Sequence, residues 1–264
     1  MIDKTATIHD SAKIGVGVEI GARAFIGENV VLKDNVKIMP NAYLENCEIG
    51  AGTIVYPFAS IGSAPQDLGY KGEPTKSIVG ENCQIREFVT INRASGEGKA
   101  TIVGNKCLLM AYAHVAHNCA LEDEVIMANA ATIGGHVQVG KGAFLGGLSV
   151  FHQNIKIGEM AIISGASAAR MDILPYTKSE GIPCVPVGLN AIGLKRRGIE
   201  KEDREMINHA IKLLKSEHLN TTQALEEIQK TLKMNKYVEN IVEFVKTSKR
   251  GVSIRSKGVF YGEE

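Results

Sequence analysis

The chain has 264 residues, with 30 Lys and Arg against 29 Asp and Glu for a formal charge of +1, 28 Gly and no Trp. That length allows one large domain or a main domain with a smaller partner, and the charge balance excludes a whole-protein electrostatic footprint for nucleic acid or an anionic membrane. The opening MIDKTATIHD lacks an apolar segment of signal-peptide length, no run of about eighteen apolar residues occurs, and five cysteines form no C-x-x-C pair, so a cytoplasmic protein with reduced thiols and no membrane span is expected.

From the N-terminus, aliphatic residues recur at every sixth position: Ile8, Ile14, Ile20, Ile26, Leu32, Ile38 and Leu44. After a one-residue slip come Ile49, Val55 and Ile61, then an insertion, then Val79, Ile85 and Ile91, then a second insertion. An unbroken series follows from Val103 to Ile163. Chance would produce that last series with odds on the order of 10⁻⁵ to 10⁻⁶. A period of six fits neither a helix of 3.6 residues per turn nor a hairpin; it fits a parallel β-helix with short strands joined by sharp, glycine-aided corners. Each coil takes three hexads, the aliphatic side chain points inward, and a small residue four later fits beside a corner. Residues one coil apart then stack about 4.8 Å from one another.

The insertions GSAPQDLGYKGEPTKS (62–77) and NRASGEGKA (92–100) break the period with Pro, Gly and charge, as surface loops do. From about Pro183 the hexads stop, and three helices are predicted at roughly 199–218, 221–232 and 236–248 from apolar residues at three- and four-residue spacing. The expected domains are therefore 1–182 and 183–264.

Counting from the inward positions throws His117, His136 and His152 outward. Subtracting one coil aligns His117 with Gly135 and Gln153, Asn118 with His136 and Asn154, and Gly134 with His152. Three imidazoles thus fall within two coils on a glycine-flanked outer face, which is most useful when a second copy covers it around a threefold axis. His117 is the candidate general base, because a neutral imidazole takes a proton from an attacking hydroxyl as the bond forms. Gly135, one coil away, is the candidate backbone N–H donor to a developing oxyanion. Zinc held by histidines between copies is the rival chemistry. Cys119 falls in the inward small-residue slot also taken by Cys83 and Cys107, so packing accounts for it better than nucleophilic catalysis.

The stretches PQDLGYKGEPT (65–75), HVAHNC (114–119), GGHVQVG (134–140), FHQ (151–153) and GLNAIGLKRRGI (188–199) resemble the UDP-N-acetylglucosamine O-acyltransferases that begin lipid A synthesis. The likeness runs from about residue 2 to 252. It implies a mainly β fold, a left-handed parallel β-helix of hexapeptide repeats with a C-terminal α-helical domain, assembled as a homotrimer. It also implies transfer of a 3-hydroxyacyl group from an acyl carrier protein to the glucosamine 3-position of the UDP-sugar. No metal or resident cofactor is implied; 4'-phosphopantetheine arrives on the carrier protein. By resemblance His117 is the general base and Gly135 the oxyanion donor, with Asp67, His114 and His136 lining the sugar cleft. His152, Gln153 and Asn190 match contacts on the nucleotide side, and Arg196 and Arg197 match contacts to phosphates. Gly165 matches a place where the acyl groove sets chain length, and a small residue there points to a longer chain.

The basic run Lys195-Arg196-Arg197 suits the same anionic groups on chemical grounds, being a local cluster in a nearly neutral chain. Two positions depart from the family's pattern. Asn118 stands where an Asp usually follows the catalytic histidine, so it can accept the same hydrogen bond without supplying charge. Ile192 stands where many members carry a Glu that contacts substrate. Whether the acceptor is the 3-hydroxyl or a 3-amino analogue stays open at this point, as does a metal-dependent hydratase of the γ-carbonic anhydrase type on the same fold.

Overall fold

The computed structural model describes residues 1–254. Most hexads form a strand of two residues, an outward one and then the inward aliphatic, as in Phe25–Ile26, Lys37–Ile38 and Thr132–Ile133. The strands stack into three parallel sheets, which are the three faces of a left-handed prism. Face one carries Ile61, Ile91, Val115, Ile133 and Phe151; face two carries Val79, Val103, Leu121, Val139 and Ile157; face three carries Ile85, Leu109, Met127, Leu145 and Ile163. The chain runs from face one to two to three and begins again.

The inward column is sealed from water: Ile26, Leu44, Ile61, Ile91, Val115 and Ile133 are all 0 % exposed. Removing each such side chain from water is worth roughly 1.5–3 kcal/mol, which is how strands of two residues persist at all. The one-residue slip is absorbed in the longer strand Cys47–Ile49, so the column stays continuous. Corners need a left-handed backbone, and asparagine tolerates it well: Asn29, Asn118 and Asn154 have φ of 56°, 60° and 62°. Along the edge from face three to face one the same conformation is forced on Phe58, Phe88 and Tyr112, whose exposed rings stack at 5.1 and 4.9 Å.

The C-terminal part departs from expectation in three respects. The expected boundary at 182/183 falls in the turn of an antiparallel hairpin, Thr177–Glu180 with Val185–Leu189, which extends face three. Four helices follow among the described residues, not three: α1 (Ala191–Arg196), α2 (Lys201–Lys215), α3 (Thr221–Thr231) and α4 (Lys236–Lys246). α1 has too few residues to show an apolar period and is started by the side chain of Asn190, which accepts from the Gly193 N–H. Finally, Val252–Ser253 returns to pair in parallel with Asp172–Ile173 on face two. A second core of Leu174, Tyr176, Leu194, Ile207, Ile228 and Ile241 joins the helices to the end of the prism. The last ten positions of the expected 183–264 domain lie outside the described residues. Among the described residues no helix is long and apolar enough to cross a membrane.

Candidate active site

Stacking places the histidines as the ladder requires. Val115, Ile133 and Phe151 are in register, and the N–H of His136 donates to the carbonyl of His117 at 3.0 Å. His117, Gly135 and Gln153 therefore form one row along the edge between faces one and two. The rings of His117 and His136 meet edge to face with centroids 5.3 Å apart. Gly135 is what lets the His117 ring lie flat on the next coil, because a Cβ there would come within 2.6 Å of His117 Nε2. The N–H of Gly135 has no acceptor among the described residues.

Hydrogen bonding fixes the tautomer of His117. Its Nδ1 lies 2.8 Å from Asn118 Oδ1. The same oxygen accepts from the Ser95 N–H at 3.0 Å, while Asn118 Nδ2 donates to the Ser95 carbonyl at 3.0 Å. That reciprocal pair assigns the amide orientation, so Oδ1 faces the ring and Nδ1 must carry the proton. In the neutral ring Nε2 then carries the lone pair and faces Gly135, which is the tautomer a general base on this side needs.

Both insertions leave the prism after face-one strands, after Ile61 and after Ile91, and so rise from the edge that carries His117. Arg93 joins them: it donates to the Gly62 carbonyl at 2.8 Å, to Glu45 Oε1 at 3.1 Å and to the Tyr70 hydroxyl at 3.2 Å. Glu73 adds a second tie by accepting from the Gly96 N–H at 2.6 Å. Asp67 in the first insertion accepts from the Gly69 N–H, faces the Ser95 hydroxyl and lies near His117 and His136; the hydrogen bonds first and the imidazoles last hold its carboxyl below the usual range. It is an anion at neutral pH close to the rings of His117 and His136.

His114 is half-buried, with Nδ1 2.7 Å from Thr90 Oγ1. Burial first, then the neighbouring His117, pushes its pKa down, and burial followed by His117 and Lys99 does the same for His136 against the opposing Asp67. Both shifts favour the uncharged ring at pH 7, leaving two polar, neutral groups beside His117. Cys119 is buried with its thiol pointing to the Gly134 carbonyl, and burial pushes its pKa up to about 12, so it is packing and no nucleophile. Among the described residues no group of three His, Cys, Asp or Glu is arranged to hold a metal ion.

A single chain does not gather the remaining expected residues. His152 and Gln153 stand exposed on the His117 edge, with Gln153 two coils, roughly 10 Å, from His117. Asn190 sits by the edge between faces two and three, where Oδ1 caps α1 and Nδ2 donates to the Met160 carbonyl at 2.9 Å. Arg197 lies on that same edge, bonded to Glu124 Oε2 at 2.7 Å and packed over Gly142, and Arg196 is exposed beside it. A groove of about 920 Å³ between face two and α4 includes Arg197 in its wall. Gly165 lies on the third edge, stacked against Gly147, where a Cβ would approach the Gly147 carbonyl to 3.1 Å.

Sequence reasoning missed Ser95, Thr90, Arg93 and Glu73. The face assignment carried the neighbourhood of Ser95, Arg93 and Glu73, though not their individual contacts: Ile61, Ile91 and Val115 share a face, so both insertions must emerge where His117 does.

These features define a hexapeptide-repeat acyltransferase. Residues 172–253 match the second-domain model of the UDP-N-acetylglucosamine O-acyltransferase family, and residues 1–95 match a model described as the GMPPB C-terminal domain. An acyl-(acyl-carrier-protein)–UDP-N-acetylglucosamine O-acyltransferase of Thermodesulfovibrio yellowstonii is 41% identical over 253 residues, covering 95% of this chain and 98% of its own. One from Campylobacter concisus is 38% identical, covering 96% and 97%. The crystal structure of a UDP-N-acetylglucosamine acyltransferase from Bacteroides fragilis superposes with a TM-score of 0.93 at 39% identity, covering 97% of this chain and 100% of that one. The chain belongs to the acyl-(acyl-carrier-protein)–UDP-N-acetylglucosamine O-acyltransferase family.

Proposed function

We propose that this chain moves a 3-hydroxyacyl group from an acyl carrier protein thioester to the 3-hydroxyl of the glucosamine unit of UDP-N-acetylglucosamine, opening lipid A synthesis. The supporting observation is the fixed Nδ1–H tautomer of His117, which leaves a free Nε2 lone pair against a glycine whose N–H is unengaged. Nε2 takes the proton as the sugar oxygen attacks the thioester carbon. The Gly135 N–H receives the resulting oxyanion, worth about 10²–10³ in rate for one such donor. Collapse breaks the C–S bond, and the departing phosphopantetheine thiolate recovers the proton from the imidazolium. Asp67, with neutral His114 and His136, orients the acceptor.

The spread of Asn190, Arg196, Arg197 and Gly165 over the other two edges supports a homotrimer, in which neighbouring copies bring these residues to the His117 edge; His152 and Gln153 flank the nucleotide. The five unpaired, buried thiols suit a reducing, cytoplasmic setting.

The test is His117→Ala, which should lower kcat about 10²–10⁴-fold with an unchanged circular dichroism spectrum. Full turnover in that variant rejects the reading. Mass spectrometry of products from UDP-N-acetylglucosamine and its 3-amino analogue, each offered with hydroxyacyl carrier thioesters of graded length, should show the ester as the product; an amide alone would replace the acceptor assignment.

A further inference from the structure

Asn118 does more than point the ring. Its Oδ1 serves His117 Nδ1 and the Ser95 N–H together, and its Nδ2 holds the Ser95 carbonyl, so one amide binds the ring on one side and the second insertion on the other. The backbone of Asn118 is itself anchored, its N–H donating to Thr101 Oγ1 at 2.9 Å. The second insertion is fastened to the first by Gly96 to Glu73, by Arg93 to Tyr70 and Gly62, and by Asn92 Nδ2 to the Ala64 carbonyl at 3.1 Å. Asp67 is carried on that first insertion.

We propose that Asn118 is a positioning residue for the acceptor as well as for the base: through its reciprocal pair with the Ser95 backbone it locks the two joined insertions, and with them Asp67, against the His117 ring. This rests on His117 being the base. It gives the departure from the family's usual Asp a physical meaning. An aspartate at 118 can still accept from the ring and from the Ser95 N–H, but it has no donor for the Ser95 carbonyl and sets an anionic oxygen against it. The asparagine is therefore matched to this particular loop.

The experiment is Asn118→Asp in the full chain, read by steady-state kinetics with UDP-N-acetylglucosamine and by amide hydrogen exchange over residues 65–73 and 93–98. Aspartate keeps the ring's acceptor and tolerates the left-handed backbone, so the fold survives. The expected result is a rise in KM for the UDP-sugar of about three- to tenfold, larger than any fall in kcat, with faster exchange in both segments. A residue that only orients the imidazole would change kcat and its pH profile and leave KM and exchange alone. Unchanged KM or unchanged exchange in either segment overturns the proposal. His117→Ala separates the two ideas: if that variant stays active the base assignment fails, whereas an inactive His117→Ala beside a kinetically silent Asn118→Asp removes only the locking role.

Discussion

The row His117, Gly135 and Gln153 and the two insertions that rise beside it share one edge of the prism, yet they control different things. The repeat determines direction. It fixes which way a side chain leaves the coil and how far the next coil lies, with the precision of a hydrogen-bonded ladder, but it supplies the same backbone environment at every turn. The insertions determine chemical state: Ser95 sets the amide of Asn118 and hence the tautomer of His117, and the first insertion brings a carboxylate, Asp67, close to that ring. A β-helix by itself is a scaffold of equivalent positions, and a reactive one arises where aperiodic chain covers it.

The sharpest way to break this contrast is in the repeat. Gly135→Ala adds a methyl 2.6 Å from His117 Nε2 on a backbone that any residue can adopt, so the coil should fold while the ring is driven off its line. A displacement on the order of 1 Å costs about 100-fold in rate, and kcat should fall by that much with little change in melting temperature. A parental kcat would show that the ring has room to spare. In the insertions, Arg93→Ala removes the bonds to Gly62, Tyr70 and Glu45 at a side chain that is only 15% exposed. Urea unfolding should report a loss of about 1–3 kcal/mol, and KM for the UDP-sugar should rise as the joined loops loosen. The smallest effect concerns protons. His114 and His136 have depressed pKa values when folded, whereas the unfolded imidazole titrates near 6.5, so below that pH the unfolded chain binds more protons and stability falls as pH drops. Melting temperature should therefore decline between about pH 7.5 and 5.5, and His114→Gln should flatten part of that slope.

The prism was legible because its signal is one-dimensional: an inward aliphatic every sixth residue predicts faces, corners and the outward direction of His117, and Cys83, Cys107 and Cys119 are buried in the small-residue slots the period assigns. The partners of that histidine were harder. Thr90 meets His114 across 24 residues, since the second insertion lengthens the coil, and a ladder counted strictly by eighteen passes it by. Ser95 reaches Asn118 through its backbone, and no side-chain pattern announces a backbone contact. The six-residue α1, the hairpin strand Val185–Leu189 and the returning Val252–Ser253 are each too brief for periodicity to register; they form because tertiary partners already wait at the end of the prism. Asn190 shows the same limit from the other side, as its sequence neighbourhood gives no hint that its amide is occupied by a helix start and the Met160 carbonyl.

That returning strand has a consequence for the life of the molecule in a crowded solution. A stack of parallel strands has ends that resemble the growing tip of a fibre, and every extra coil would recruit another. Here the last coil is stoppered by a reversed hairpin on one side and by a two-residue strand fetched from the far end of the chain on another, with helices folded over both, while Ile2 bridges to Ile20 at the opposite tip. Polymerisation has little bare edge to start from, and the number of turns stays the one written in the gene.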